Sequence, residues 1–344
     1  MKSIVGFIAS VLLLPGLIAG CHCGKIKKKD LAGIEVNLKV NRLDNILFRL
    51  SSENLKAQYP AIDSIYKGFL SFYVREMLAL GDFKAQPDST IFRLNKYLDD
   101  PYVKEVRDTC EKVFGDFSRY ENELKKALQH YKYYFPGNKI PEVVTFISNF
   151  SYSAITYDTT FLGIGIDMYL GKDFKYYHDL YPKYMYEKFS PEFMTANCMK
   201  ALATENFRME PHDNKMLSQM VSSGLTLYFT DLTLPDEEDY KKIGFNPEDI
   251  HWCFVNEPEI WKFLIDRDLL YTTDAEKQKL YIGPGPSSSG MPKDAPGNVG
   301  TWVGWQIVRA YARKHPEVTF EELLQKDPQE ILTRSGYKPS RKLF

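Results

Sequence analysis

The sequence predicts an α+β fold: a mostly helical single domain over residues 34–344, with a small mixed β-sheet in the middle of the chain. Three observations carry that expectation. Apolar residues recur at helical spacing through the first half, as in Ile62, Ile65, Tyr66 and Phe69, and again in Leu124, Leu128 and Tyr131. The stretch "PEVVTFISNFSYSAITYDTTFLGIGIDMYLG" is instead rich in β-branched and aromatic residues, the composition of strands. Helical grammar then resumes at Ser190 and runs toward the C-terminus.

Residues 1–20 come before the domain. Lys2, the apolar run "IVGFIASVLLL" and the small pair Ala19-Gly20 describe a secretory signal. Gly6, Ser10 and Pro15 interrupt the run, which is too short to span a bilayer well. Leu17-Ile18-Ala19-Gly20-Cys21 resembles the bacterial lipobox, whose cysteine is acylated, with palmitate among its chains, and becomes the new N-terminus. Two or more acyl chains suffice for stable anchoring. Residues 21–33 then read as a lipidated flexible tether, with the lipid bilayer as partner through Cys21. Lys25, Lys27, Lys28 and Lys29 are placed to attract anionic head groups, and a solvated tether accounts for them as well. His22 follows Cys21, without the aspartate that signals inner-membrane retention, so the expected location is the outer membrane, facing the periplasm.

Within the domain, "GIEVNLKVNRLD" alternates at Ile34, Val36, Leu38 and Val40 and predicts a strand. From about Asn41 to Tyr134 the pattern is helical, punctuated by Pro60, Pro87 and Pro101. Strands are expected near 142–149, 152–157 and 160–167. Ser190 as cap and Pro191 at the first position open a helix over 191–207, and Asn246-Pro247 repeats that grammar. Residues 282–300, rich in Gly, Pro and Ser, form a loop, either a passive connection or a binding lid. "NVGTWVGWQIVRAYARKH" is a helix with Trp302, Trp305, Val308 and Tyr311 spaced to share one side.

Composition excludes several classes. The chain carries 44 basic and 45 acidic residues, a balance that argues against nucleic acid as partner. Cys110, Cys198 and Cys253 are widely spaced among apolar neighbours, which predicts buried thiols rather than a disulfide scaffold or a zinc site. No histidine is followed by Glu, and none has another His three or four residues on, so HExxH is absent; GxSxG, the P-loop and GxGxxG are absent too. No metal and no cofactor are expected. "PDEEDYKK" at 235–242 reads as a solvated turn, since it lacks the alternating ligands of a calcium loop.

The strand "TFLGIGID" raises one binding possibility. Leu162, Ile164 and Ile166 share one face; Phe161, Gly163, Gly165 and Asp167 share the other. Paired glycines on one face signal a close approach. Either the 191–207 helix packs onto them, or Gly163, Gly165 and Asp167 border a groove where a partner adds a strand. Asp167 itself reads as a cap for the next helix.

Several segments together carry a family resemblance: "HYKYYFPGNKIPEVVTF", "LGIGIDMYLGKDFKYY", "DLTLPD", "NEPEIWKFLIDRDLLYTTD", "GNVGTWVGWQIVRAY" and "ILTRSGYKPSR". In order and spacing they resemble the gliding motility lipoprotein family GldB, over almost the whole mature chain. The resemblance implies an outer-membrane-associated lipoprotein of the gliding apparatus and its associated secretion route, with other envelope lipoproteins or motility proteins as partners. It further implies a zincin-like frame, similar in outline to predicted zinc-dependent peptidases, in which the 191–207 helix corresponds to the metal-binding helix. Here that helix reads "ANCMKALATENF", with Cys198, Ala201 and Leu202 where histidines would stand, so no catalytic residue is carried over. The expected function is therefore a non-enzymatic accessory or scaffold component in motility or envelope assembly. The alternatives are a hydrolase with scattered ligands such as His212, His251 and Glu205, and a peptide- or glycan-binding lipoprotein. Asp88-Ser89-Thr90 and Asp158-Thr159-Thr160 resemble the short O-glycosylation signal of gliding bacteria, which marks Ser89 and Thr159.

Overall fold

The computed structural model describes residues 29–50, 52–207 and 209–340. The signal segment, Cys21 and most of the tether lie outside them. A four-stranded sheet divides the apolar interior of the domain's first part. Its strands are β1 (Val40–Arg42), β2 (Glu142–Phe146), β3 (Ala154–Tyr157) and β4 (Phe161–Gly165), in the order β1-β2-β4-β3. β1, β2 and β4 run parallel, and β3 pairs antiparallel with β4. Elsewhere the chain is mostly helical, so the α+β class holds, with its small mixed sheet central in sequence.

Both faces of the sheet are covered, which is why β2 and β4 carry near-continuous apolar runs. Val143, Leu162 and Ile164 face a core built with the Ser118–Tyr134 and Met194–Phe207 helices. Val144, Phe146 and Phe161 face a second core built with the helices between Leu43 and Asp99. The strand expected at 34–40 falls instead at Val40–Arg42. Val36 and Leu38 do alternate inward, but only the end of the stretch reaches β2 for a ladder. Pro60 does not break its helix; it lies inside Ser52–Ile65. Of the expected tether, residues 29–33 are described: Asp30 caps the Ala32 N–H at 2.9 Å, and the turn closes with Ile34 N–H on Leu31 O at 3.0 Å.

The third core lies in the C-terminal part. The Val299–Lys314 helix is buried on every side from Val299 to Tyr311, so its two tryptophans do not mark one buried face. It crosses the Met216–Thr233 helix at a pair of glycines. A Cβ on Gly304 would stand 1.9 Å from Met220 O, and one on Gly224 would stand 2.5 Å from the Gly304 carbonyl. Only glycine permits that approach. The 282–300 loop is folded onto itself: Ser288 Oγ donates to Pro296 O at 2.7 Å, and Gly297 sits against the Gly285 backbone. Among the described residues no helix is long and apolar enough to cross a membrane.

Candidate functional site

Two adjoining recesses open where the Met194–Phe207 helix ends. The smaller, about 180 Å³, is bordered by Gly137, Asn138, Lys139 and Thr156. The larger, about 670 Å³, runs between the start of the Met216–Thr233 helix and the turn after Phe320–Leu324. They share Thr159, Glu205 and Asn206. Phe207, Met209, Val221, Leu225 and Leu324 make an apolar floor, while Glu205, Glu210 and Glu321 stand on the rim. Lys326 is the lysine of the larger recess, and it is turned to Glu330 at 3.4 Å. The cleft is therefore acidic at its edge and greasy below.

Its polar side chains hold the walls together. Ser218 Oγ donates to Asp213 at 2.5 Å, and Ser222 Oγ donates to Met209 O at 2.5 Å. His212 Nε2 lies 3.2 Å from Leu324 O, and Thr156 Oγ1 donates to Glu205 at 3.2 Å. Hydrogen bonds from Lys215 and Ser218 hold the Asp213 carboxyl down at about 2. The Ser218, Ser222 and Thr156 hydroxyls and the His212 imidazole thus each have a structural partner.

Of the scattered ligands expected for a hydrolase, Glu205 and His212 do reach this cleft, while His251 is exposed on the Pro247–Val255 helix and takes no part in it. Among the described residues, no three His, Cys, Asp or Glu side chains are grouped to hold a metal ion. On the Met194–Phe207 helix, Cys198 and Leu202 are buried in the core, and burial pushes the Cys198 thiol well up. Cys110 and Cys253 are buried free thiols as well.

Gly163 and Gly165 lie inside the molecule, on the face opposite the Met194–Phe207 helix. A Cβ on Gly163 would stand 2.9 Å from the Phe146 ring, and one on Gly165 would stand 1.8 Å from Tyr152 O. The register explains this, since Phe146 pairs with Gly165 and Val144 with Gly163. The close approach that the glycines signal is thus made by Phe146 and Tyr152, not by that helix. β4 is also an interior strand, flanked by β2 and β3, so the space beside Gly163, Gly165 and Asp167 is filled and offers no free edge.

Asp167 is fully buried and does not cap the next helix. Its Oδ2 accepts from the Ser148 N–H at 2.9 Å and the Phe150 N–H at 2.7 Å. Those bonds fix a turn in which Asn149 and Phe150 both adopt left-handed backbone, φ 52° and 61°. Burial raises the Asp167 carboxyl to about 6, against the pull of those N–H groups.

Sequence reasoning missed a buried ionic cluster. Arg309 donates twice to Asp231, at 2.7 and 2.6 Å, and twice to Asp239, at 2.7 and 2.8 Å. Lys242 reaches Asp231 at 2.9 Å, and the Trp305 indole N–H donates to it at 2.8 Å. Asp239 and Lys242 belong to the 235–242 stretch that reads as a solvated turn; a short helix, Asp239–Ile243, turns them inward instead. Two acids and two bases meet, so the cluster is neutral and knits three helices rather than offering a site.

Ser89 is half-buried in the first turn of the Pro87–Asp99 helix, and Thr159 is exposed on the β3–β4 hairpin at the cleft. The family model described as gliding motility protein GldB matches residues 24–339. No curated protein and no solved structure matches the chain.

Proposed function

The chain belongs to the gliding motility protein GldB family, and from that premise we propose that it is a lipid-anchored, non-enzymatic accessory or scaffold component of the gliding apparatus, its associated secretion route, or envelope assembly. Its anchor is Cys21, and its place is the outer membrane, facing the periplasm. The observation that carries the non-enzymatic part is the cleft. It is large, yet its serines and His212 are engaged in bonds that build its walls. Such a surface suits holding a polypeptide of another envelope protein more than transforming one. A zincin-like frame without its metal ligands fits the same picture, since the Met194–Phe207 helix flanks the sheet with Cys198 and Leu202 turned to the core.

The test is crosslinking from the cleft rim in the native host, combined with depletion scored for motility and secretion. Crosslinks to envelope proteins, lost together with gliding or secretion, are expected. Unchanged motility, secretion and viability on depletion would overturn the scaffold reading. A hydrolase is favoured by one fact, that Glu205 and His212 line the same cleft; stoichiometric zinc in the purified protein, lost in His212→Ala, would establish it.

A further inference from the structure

We propose that the lysine and tyrosine patch at the C-terminal end of the Ser118–Tyr134 helix docks on the anionic head groups of the membrane that holds the anchor. This rests on the lipid anchor at Cys21.

The direction of the chain is the first support. Gln129 Nε2 donates to Ile34 O at 2.9 Å, and Lys29 Nζ lies 5.9 Å from the centre of the Tyr133 ring. From Ile34 back to Lys29, the chain therefore follows the helix from Gln129 to Tyr133, toward its C-terminal end. Just beyond that end lie Gly137, Asn138 and Lys139, the rim of the smaller recess.

Reach is the second support. Eight residues from Cys21 to Lys29 span at most about 28 Å. The Ser118–Tyr134 helix has 17 residues and is itself about 25 Å long. The domain is therefore held within about 28 Å of the lipid, close enough for one of its faces to meet the surface.

Charge selects which part. The first turn of the helix carries Glu121 beside Arg119, which is paired with Glu123 at 2.9 Å, and Asp116 lies just ahead, so this end is net acidic and anionic head groups repel it. The other end carries Lys29, Lys132 and exposed Lys139, with Tyr133 exposed between them. Lys132 caps the helix through Pro136 O at 2.7 Å, which fixes its charge at that end. An exposed tyrosine among lysines suits a head-group layer, apolar on one side and wet on the other.

The test uses the full lipidated protein in vesicles of phosphatidylethanolamine and phosphatidylglycerol, with nitroxide on the lipid head groups. A single fluorophore is placed by Gly137→Cys or Ser118→Cys in a Cys23→Ser background. Nothing lies within 4 Å of a Cβ on Gly137, Ser118 is exposed, and the thiols of Cys110, Cys198 and Cys253 are buried. The expected result is several-fold stronger quenching at 137 than at 118, a contrast that falls on Lys29→Glu/Lys139→Glu. Equal or stronger quenching at 118, with the lipid present in the intact mass, overturns the orientation alone. Protein without lipid mass that leaves the vesicles in salt overturns the anchor and the orientation together.

Discussion

Arg309 and Asp231 meet as a planar fork inside the molecule: Nε donates to one carboxylate oxygen at 2.7 Å and a terminal nitrogen to the other at 2.6 Å. The guanidinium also stacks on Trp305, 3.6 Å from the ring centre. Burial pushes the Asp231 carboxyl up, but Arg309 and Lys242 outweigh it and hold it below the usual range. Asp231→Ala leaves two buried cations, Arg309 and Lys242, with Asp239 as the one carboxylate between them, and a broken buried pair costs about 3–5 kcal/mol. Urea unfolding is expected to show that loss, with far less for Lys326→Ala at the cleft. The sign with pH follows. A depressed carboxyl stabilises the fold above its unfolded pKa, and the contribution disappears as pH falls through the lower, folded value.

Asp167 behaves in the opposite sense. Its folded pKa is about 6, above the usual value of 3.8, because it is buried. The folded state binds that proton more tightly, so stability falls as pH rises from the unfolded value through 6. The difference amounts to roughly 2 kcal/mol between pH 4 and 7. Asp167→Asn keeps one oxygen for the Ser148 and Phe150 N–H groups and removes the titration. Its stability relative to the natural protein is expected to rise across that pH interval. Parallel stability profiles for the two proteins would refute this.

The glycines on β4 fail in different ways. The Cβ of Gly163→Ala meets side chains, Phe146 and Ile155, each at 2.9 Å. Phe146→Leu should recover part of that loss, giving a coupling of about 0.5–3 kcal/mol in a double-mutant cycle. Gly165→Ala meets the Tyr152 backbone at 1.8 Å, and Phe146→Leu should leave its loss in place. Equal rescue of both would be inconsistent with the packing.

Glu210 and Glu321 stand exposed on the cleft rim. Their replacement by lysine is expected to change stability by less than about 0.5 kcal/mol each. Crosslinks from the cleft to envelope proteins should nevertheless fall. Retention of every crosslink in the double variant would remove the cleft from the scaffold reading.

Local pattern revealed the strands of the middle, the cap at Asn246, Pro191 at a first helical position and the buried cysteines, because period and capping are written in neighbouring residues, whereas Ser190, expected as a cap, makes no capping bond with its side chain. What depends on distant segments was hidden. Asp231 and Arg309 are 78 positions apart, and nothing near either residue announces the other. "PDEEDYKK" has the composition of a solvated turn, yet a single helical turn redirects Asp239 and Lys242 inward. The cleft draws its lining from a hairpin, two long helices and a C-terminal turn, so no window of sequence contains it. Gly304 and Gly224 read as ordinary helix-weakening residues until the two helices are seen to touch there.

β1 has a consequence for how the molecule comes into being. Its three residues pair with Val143, Val144 and Thr145, on the far side of every N-terminal helix. A chain synthesised or exported N-terminus first must therefore leave its opening strand unpaired until β2 has emerged. Closing a loop of that length costs entropy before the ladder repays it, which slows assembly. The sheet between the two cores of the first half thus closes only after residues 142–165 have arrived. A truncation just short of β2 would hold the N-terminal helices without the sheet that separates their cores, a species with exposed apolar surface and a ready substrate for envelope proteases.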